Sequence, residues 1–261
     1  MTEVVIVDNQ DSAGALVAAH ILDLIRDKPA TTLGLATGST PLAVYRSLAA
    51  QLPSGGVDVS RVRGFALDEY VGLPPGHPES YRSVIGREVV GPLGLTPELI
   101  SVPDGSLDGI RSAGDYYENA IIAAGGIDLQ ILGIGSDGHI GFNEPGSSLA
   151  SLTRVKTLTQ QTRRDNARFF ASKEDVPLHC ITQGLGTILR ARHLVLLAFG
   201  TGKAAALAGA VEGPVSSSNP GSAIQLHPHV TVLADEAAAS QLANRDYYRF
   251  AWANKPEWQG I

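Results

Sequence analysis

The sequence predicts an α/β fold built on a mostly parallel sheet. Short β-branched runs alternate with segments of helical periodicity along the chain, the pattern of repeated strand–helix units. Two runs, Ile127–Gly133 and His193–Phe199, are apolar without a break, as strands covered on both faces are. Glycine is abundant, at 29 of 261 residues, and suits many tight strand-to-helix turns. Together these features describe a doubly wound, Rossmann-like sheet with helices on both faces.

The elements follow in order. Val4–Asp8 reads as the first strand. Ser12–Arg26 carries Leu16, Ala19, Ile21, Leu22 and Ile25 at helical spacing. Thr32–Ala36 is a second strand, and Pro41–Leu52 a helix with proline in its first turn. Gly64–Leu67 is a third strand. Ser80–Val90 and Ile110–Ala124 read as helices, and Thr201–Val211 as an alanine-rich helix. Ile224–Leu226 and Val230–Ala234 read as strands, with helices closing the chain. The stretch from about Arg154 to Gln183 is polar and weakly patterned, either a lid or a surface excursion.

Composition narrows the function. A formal net charge of -6 argues against binding a nucleic-acid backbone. The hydrophobic content of 44% is ample for a buried core. The N-terminus has no basic leader with an apolar core. No stretch reaches the roughly 18–20 apolar residues of a membrane span. The expectation is a cytoplasmic chain with no membrane partner. The single cysteine, Cys180, excludes an internal disulfide framework and reads as a buried structural thiol.

In an open parallel sheet, ligands bind beyond the carboxyl ends of the strands. Three loops there carry chemistry. Thr37-Gly38-Ser39-Thr40-Pro41 lies between strand and helix, where small residues and a helix start favour a phosphate. It reads equally as a turn capped by Ser39 or Thr40. Leu67-Asp68-Glu69-Tyr70 ends a strand with two acids. Neighbouring strand residues point to opposite faces, so at most one acid, Asp68 or Glu69, enters a site as a base.

The third loop, LGIGSDGHIGFNEPG at 132–146, holds Asp137, His139 and Glu144 in one glycine-rich stretch. Gly133, Gly135 and Gly138 spell the dinucleotide fingerprint. No helix follows them, however, and Pro145 and Gly146 block one. A metal site lacks a second histidine at close spacing. An acid–base cluster remains, in which a carboxylate fixes the tautomer of the imidazole and raises its basicity. A purely structural glycine loop is the bland alternative. Arg168 and Lys203 are the cations placed to bind a phosphate, although single cations are commonly just solvated. His227 and His229 lack partners at ligand spacing and read as structural.

TGSTP at 37–41, LDEYVGL at 67–73, GIGSDGHIGFNEPGSSL at 133–149, TRVKTLTQQTRRDNARFF at 153–170 and VEGPV at 211–215 together resemble the glucosamine-6-phosphate deaminases. The likeness runs in order over nearly the whole chain. It implies a single domain over residues 1–261 with an active-site lid at about 154–183. The reaction it implies converts glucosamine 6-phosphate and water to fructose 6-phosphate and ammonia, without metal or organic cofactor. Asp68 would take the C2 proton and return it at C1. His139 would open the pyranose ring, held and tuned by Asp137 and Glu144. Gly38, Ser39, Thr40, Arg168 and Lys203 would hold the phosphate.

Some members of that family are hexamers activated by N-acetylglucosamine 6-phosphate. Ser147, Arg154, Lys156 and Thr157 match positions of the activator site, so an allosteric, homo-oligomeric protein is an open expectation. Two other readings remain. One is a 6-phosphogluconolactonase-type hydrolase on the same fold. Such lactonases tend to carry Asp-Glu-Arg at 68–70 and to lack an acid at the position of Glu144. The other is a non-catalytic sugar-phosphate sensor.

Overall fold

The computed structural model describes residues 2–256 and 258–261. Its first half runs β1 (Thr2–Val7), α1 (Gln10–Asp27), β2 (Thr32–Leu35), α2 (Leu42–Gly55), β3 (Arg63–Ala66), β4 (Asp68–Tyr70), α3 (Tyr81–Ile85), α4 (Gly91–Leu93), β5 (Ile100–Ser101), α5 (Ile110–Ala123) and β6 (Leu129–Gly133). The rest runs β7 (Arg154–Thr157), α6 (Gln160–Asn166), β8 (His179–Thr182), α7 (Leu185–Ile188), β9 (His193–Ala198), α8 (Ala204–Val211), β10 (Val230–Asp235) and α9 (Arg245–Ala253).

Seven strands form one sheet in the order β1-β10-β9-β6-β2-β3-β5. Every pairing in it is parallel. All six residues of β9 are buried, as its unbroken apolar run requires. Helices cover both faces over one continuous core that includes Val17, Ile21, Leu129, Ile131 and Leu194. This is the single α/β domain that the alternating pattern predicts. Strand order turns back between β2 and β6. The chain winds outward from β2 through β3 to β5, and the other way from β6 through β9 to β10. The loops after β2 and β6 therefore diverge and leave a crevice at the carboxyl ends of the strands.

Five local expectations need correction. The first helix begins at Gln10, because Asn9 caps it by accepting from the Ser12 N–H at 2.9 Å. Neither Ser39 nor Thr40 caps α2, which starts behind Pro41 with no side-chain cap. The segment expected as a helix at Ser80–Val90 becomes a π turn at Gly86–Val90 and continues to Leu93. Ile224–Leu226 is not a strand. It belongs to a 3₁₀ stretch, Pro220–Leu226, which Gln225 ties to the carbonyls of Ala210 and Gly213 at 2.9 Å each.

The fifth correction concerns the polar segment. Its ends are strands: β7 and β8 pair antiparallel, and β8 pairs antiparallel with β4. This small second sheet covers its own cluster of Tyr70, Phe142, Leu158, Val176 and Cys180. Cys180 is fully buried, as expected. Among the described residues no helix is long and apolar enough to cross a membrane.

Candidate active site

A cavity of about 590 Å³ opens at the crevice. Thr37–Leu42 line it from the end of β2, Leu67 and Asp68 from β3–β4, Gly133–Ser136 and His139 from beyond β6, and Phe199 and Lys203 from beyond β9. Tyr81 from α3 and Asp165, Asn166, Arg168 and Phe170 from the polar segment close its sides.

Asp68 sits where the chain passes from one sheet to the other. The Leu67 N–H donates to Leu35 O at 2.9 Å in the parallel sheet, and Leu67 O accepts from the Gln183 N–H at 2.7 Å beside β8. The next residue is thereby fixed at the cavity wall with only 6% of its surface exposed. Burial, reinforced by the charge of Glu69, pushes its carboxyl up to about 8. Strand alternation sends Glu69 the other way. Its carboxylate accepts from the backbone N–H groups of Tyr70, Tyr81 and Arg82. Of the two acids only Asp68 lines the cavity.

The loop after β6 turns back across Asp68. A Cβ on Gly141 would stand 3.1 Å from Thr182 Oγ1 and 3.5 Å from Asp68 Oδ2, so the loop and the carboxylate are neighbours. Gly135 is needed for close approach: a Cβ there would lie 2.3 Å from the His139 ring. Gly138 holds a φ of 88°, in the left-handed region. These glycines seat an imidazole; they do not cradle a dinucleotide.

His139 Nδ1 lies 2.7 Å from Asp137 Oδ1 and 3.8 Å from Glu144 Oε2. The nearer contact is a close approach of carboxylate to imidazole. Partial burial pushes Asp137 upward, but contact with His139 outweighs it and holds the carboxyl down at about 2. Glu144 is 3% exposed, and its other oxygen accepts from Thr162 Oγ1 at 2.6 Å and the Thr159 N–H at 3.1 Å. Both acids address Nδ1, which leaves Nε2 for proton exchange with a ligand.

Asp137, His139 and Glu144 also form the one candidate metal cluster among the described residues. Two ligands of a tetrahedral zinc stand about 3.3 Å apart. The 2.7 Å contact is shorter than that and the 3.8 Å contact longer, and 2.7 Å is the spacing of a charge-assisted contact.

The phosphate candidates Gly38, Ser39, Thr40, Arg168 and Lys203 all line the same cavity. Gly38 takes a φ of 92° and turns the chain into α2, whose uncapped start presents donors to an anion. Lys203 follows the Gly200 turn, which Asp235 fixes by accepting from the Gly200 N–H at 3.0 Å. Burial lowers the Lys203 pKa, opposed by the charges of Asp165 and Asp137. The Arg168 guanidinium lies over the Phe169 ring at 4.7 Å.

The activator candidates are dispersed in character. Ser147 is buried and donates to Glu144 O at 2.7 Å, whereas Thr157 is exposed and Lys156 partly so. Arg154 turns inward and donates to Asn143 Oδ1 at 2.7 Å. His227 is structural, each ring nitrogen 2.7 Å from a backbone carbonyl oxygen. No local pattern marks Tyr81, whose ring packs against Phe142 and Tyr70, or Thr162 behind Glu144.

One cavity thus brings a buried carboxyl and an imidazole flanked by acids together with a glycine turn and two cations. Residues 8–233 match the family model described as glucosamine-6-phosphate isomerases/6-phosphogluconolactonase. The glucosamine-6-phosphate deaminase of Streptomyces avermitilis is 61% identical over 260 residues, covering 99% of this chain and all of that protein. That of Bifidobacterium longum (strain DJO10A) is 59% identical and spans both chains in full. A solved monomeric glucosamine-6-phosphate deaminase superposes with a TM-score of 0.89 at 38% identity, over 92% of this chain and 99% of its own. The 6-phosphogluconolactonase of Thermotoga maritima shares the fold, with a TM-score of 0.72 at 22% identity over 90% of this chain and 99% of its own.

Proposed function

The chain belongs to the glucosamine-6-phosphate isomerase/6-phosphogluconolactonase family, and we propose on that premise that it is a glucosamine-6-phosphate deaminase. It converts glucosamine 6-phosphate and water to fructose 6-phosphate and ammonia. The observation that carries the reading is one cavity with a buried carboxyl, Asp68, and an imidazole, His139, beside an anion-binding turn.

The chemistry assigns each group a task. The phosphate is not altered, so its binding energy at Gly38, Ser39, Thr40, Arg168 and Lys203 serves to orient the sugar. His139 moves a proton between the ring oxygen and the anomeric hydroxyl and opens the pyranose. Asp137 and Glu144 support the positive charge the imidazole gains. Asp68 then takes the C2 proton, giving an enolamine, and returns it to C1. Water attacks the resulting C2 imine and ammonia leaves. An Asp68 carboxyl near 8 is protonated in the free chain at neutral pH. The 2-ammonium group of the substrate brings a positive charge beside it, which lowers that pKa and frees the base.

Residues 154–183 act as the lid that limits water around the enolamine. Its helix α6 starts on Glu144 through Thr159 and Thr162, so lid and imidazole share a support. The lactonase reading lacks a use for a buried acid behind His139. The proposal extends to cytoplasmic breakdown of N-acetylglucosamine-derived sugars. It also includes activation by N-acetylglucosamine 6-phosphate through Ser147, Arg154, Lys156 and Thr157 in a homo-oligomer. What supports that part is Arg154, which meets the His139 loop at Asn143. The test is deaminase turnover with and without that activator, paired with light scattering. Equal rates from a monomer remove the activator site from the proposal.

A further inference from the structure

Glu69 has no place in the reaction above, yet it is one of the most constrained carboxylates in the fold. It is 6% exposed. Its Oε1 accepts from the Tyr70 and Tyr81 N–H groups at 2.8 Å each, and its Oε2 from the Arg82 N–H at 2.9 Å. Two of these donors open α3, and the third belongs to β4. The carboxylate therefore joins the strand that carries Asp68 to the helix that carries Tyr81. Both ends of this joint reach the cavity, because Asp68 and Tyr81 line it from adjoining walls. The Tyr81 ring is set by Phe142, stacked at 5.9 Å, and by Tyr70 at 4.9 Å. A Cβ on Gly105 would fall 3.1 Å from Glu69 Cγ, so the far side of the carboxylate is also closely packed.

We propose that Glu69 is a positioning residue, which clamps the Tyr81 wall to the Asp68 strand and places a fixed negative charge behind the base. The inference rests on the reading of Asp68 as the C2 base. Burial pushes the Glu69 carboxyl above its ordinary value, and the three backbone donors and the charge of Arg82 work against that rise by favouring the ionised form. The Glu69 charge is the second cause, after burial, of the raised Asp68 carboxyl. One side chain thus acts on both the shape of the site and the proton affinity of its base.

The test compares the wild-type chain with Glu69→Gln, Glu69→Asp and Asp68→Asn, each checked for folding by circular dichroism. Glutamine keeps the shape, removes the charge and turns a donor toward the Arg82 N–H. The expected result is a KM for glucosamine 6-phosphate raised about tenfold, one lost hydrogen bond being worth about 1.4 kcal/mol. The acidic limb of kcat/KM also moves to lower pH by about half a unit or more. Aspartate keeps the charge but falls short of α3, so KM rises while the limb stays in place. An unmoved limb or an unchanged KM in a folded Glu69→Gln enzyme overturns the inference. If that variant does not fold, a carbon-13 titration of the wild-type carboxyls decides. Glu69 must be ionised throughout the range in which Asp68 titrates, and Glu69 titrating above Asp68 overturns the inference. Asp68→Asn separates the two readings: if it turns over normally, the assignment of the base has failed whatever Glu69 does.

Discussion

His139 Nδ1 faces Glu144 Oε2 across 3.8 Å, and that buried oxygen has no hydrogen-bond partner among the described residues. Its twin, Oε1, is held by Thr162 and Thr159 at the start of α6. An unpartnered carboxylate oxygen is costly unless a positive charge arrives to meet it. In the proposed reaction that charge is the imidazolium, formed when His139 accepts a proton.

Glu144→Gln should therefore act on turnover more than on binding. A hydrogen bond or contact to a charged group is worth about 1.5–3 kcal/mol, which is a fall in kcat of about 10- to 100-fold. KM should change less than threefold or so, since Glu144 lies behind His139 and does not line the cavity. Steady-state kinetics on glucosamine 6-phosphate read this directly. A variant with raised KM and intact kcat would place Glu144 in substrate binding instead.

Asp68→Asn should remove turnover by about 10²–10⁴-fold, the usual share of a positioned base, while sugar-phosphate binding persists. In the wild-type enzyme kcat/KM should rise with pH through the free-enzyme Asp68 pKa of about 8. The same shift has a stability consequence. A carboxyl raised in the folded state keeps a proton that the unfolded chain has released between about pH 4 and 8. Stability from this group is present at low pH and is lost as pH rises through the folded value. Asp68→Asn should unfold at a higher temperature than wild type at pH 9, and by a smaller margin at pH 5. Scanning calorimetry at the two pH values checks it.

Lys203→Ala and Arg168→Ala should each raise KM by about 10- to 100-fold, the loss of one charge-assisted contact of about 1.5–3 kcal/mol. Inhibition by inorganic phosphate, a competing ligand for the same anchor, should weaken in parallel. Unchanged phosphate inhibition in both variants would move the anchor to another part of the cavity.

A second pH effect sits far from the cavity. His193 stacks on His229 with ring centroids 3.7 Å apart, and its Nδ1 lies 3.3 Å from His20 Nε2. Burial, then the neighbouring His229 and His20, lower the ring to about 3 from its ordinary 6.5. Between those values the unfolded chain binds a proton that the folded chain refuses. Stability is complete above pH 6.5 and falls on acidification toward 3, by on the order of 1 kcal/mol per pH unit for one such group. His193→Asn should flatten that slope in urea unfolding measured between pH 7 and 5.

The sequence disclosed the main sheet because its strands are buried on both faces and their apolar runs are unbroken. Alternation along a strand also shows that Asp68 and Glu69 face opposite ways, though not which of them meets the cavity. The small sheet was hidden. RVKT and HCIT are four residues each, and their β pairing depends on contacts distant in sequence that no local pattern records. Ile224–Leu226 was misread for a related reason: three apolar residues carry no period, and Pro220 with Gln225 decided their conformation. Within the site, Asp68, Asp137, His139 and Glu144 stand out as candidates by residue type, and the fold places them together. Tyr81 and Thr162 do not, because nothing local marks a tyrosine or threonine whose role is set by a partner distant in the chain.

The most direct test is the reaction itself. Purified chain given glucosamine 6-phosphate should release ammonia and fructose 6-phosphate in equal amounts, and Asp68→Asn should release neither at a comparable rate. Folded protein that yields no ammonia, with or without N-acetylglucosamine 6-phosphate, but hydrolyses 6-phosphogluconolactone would contradict the account.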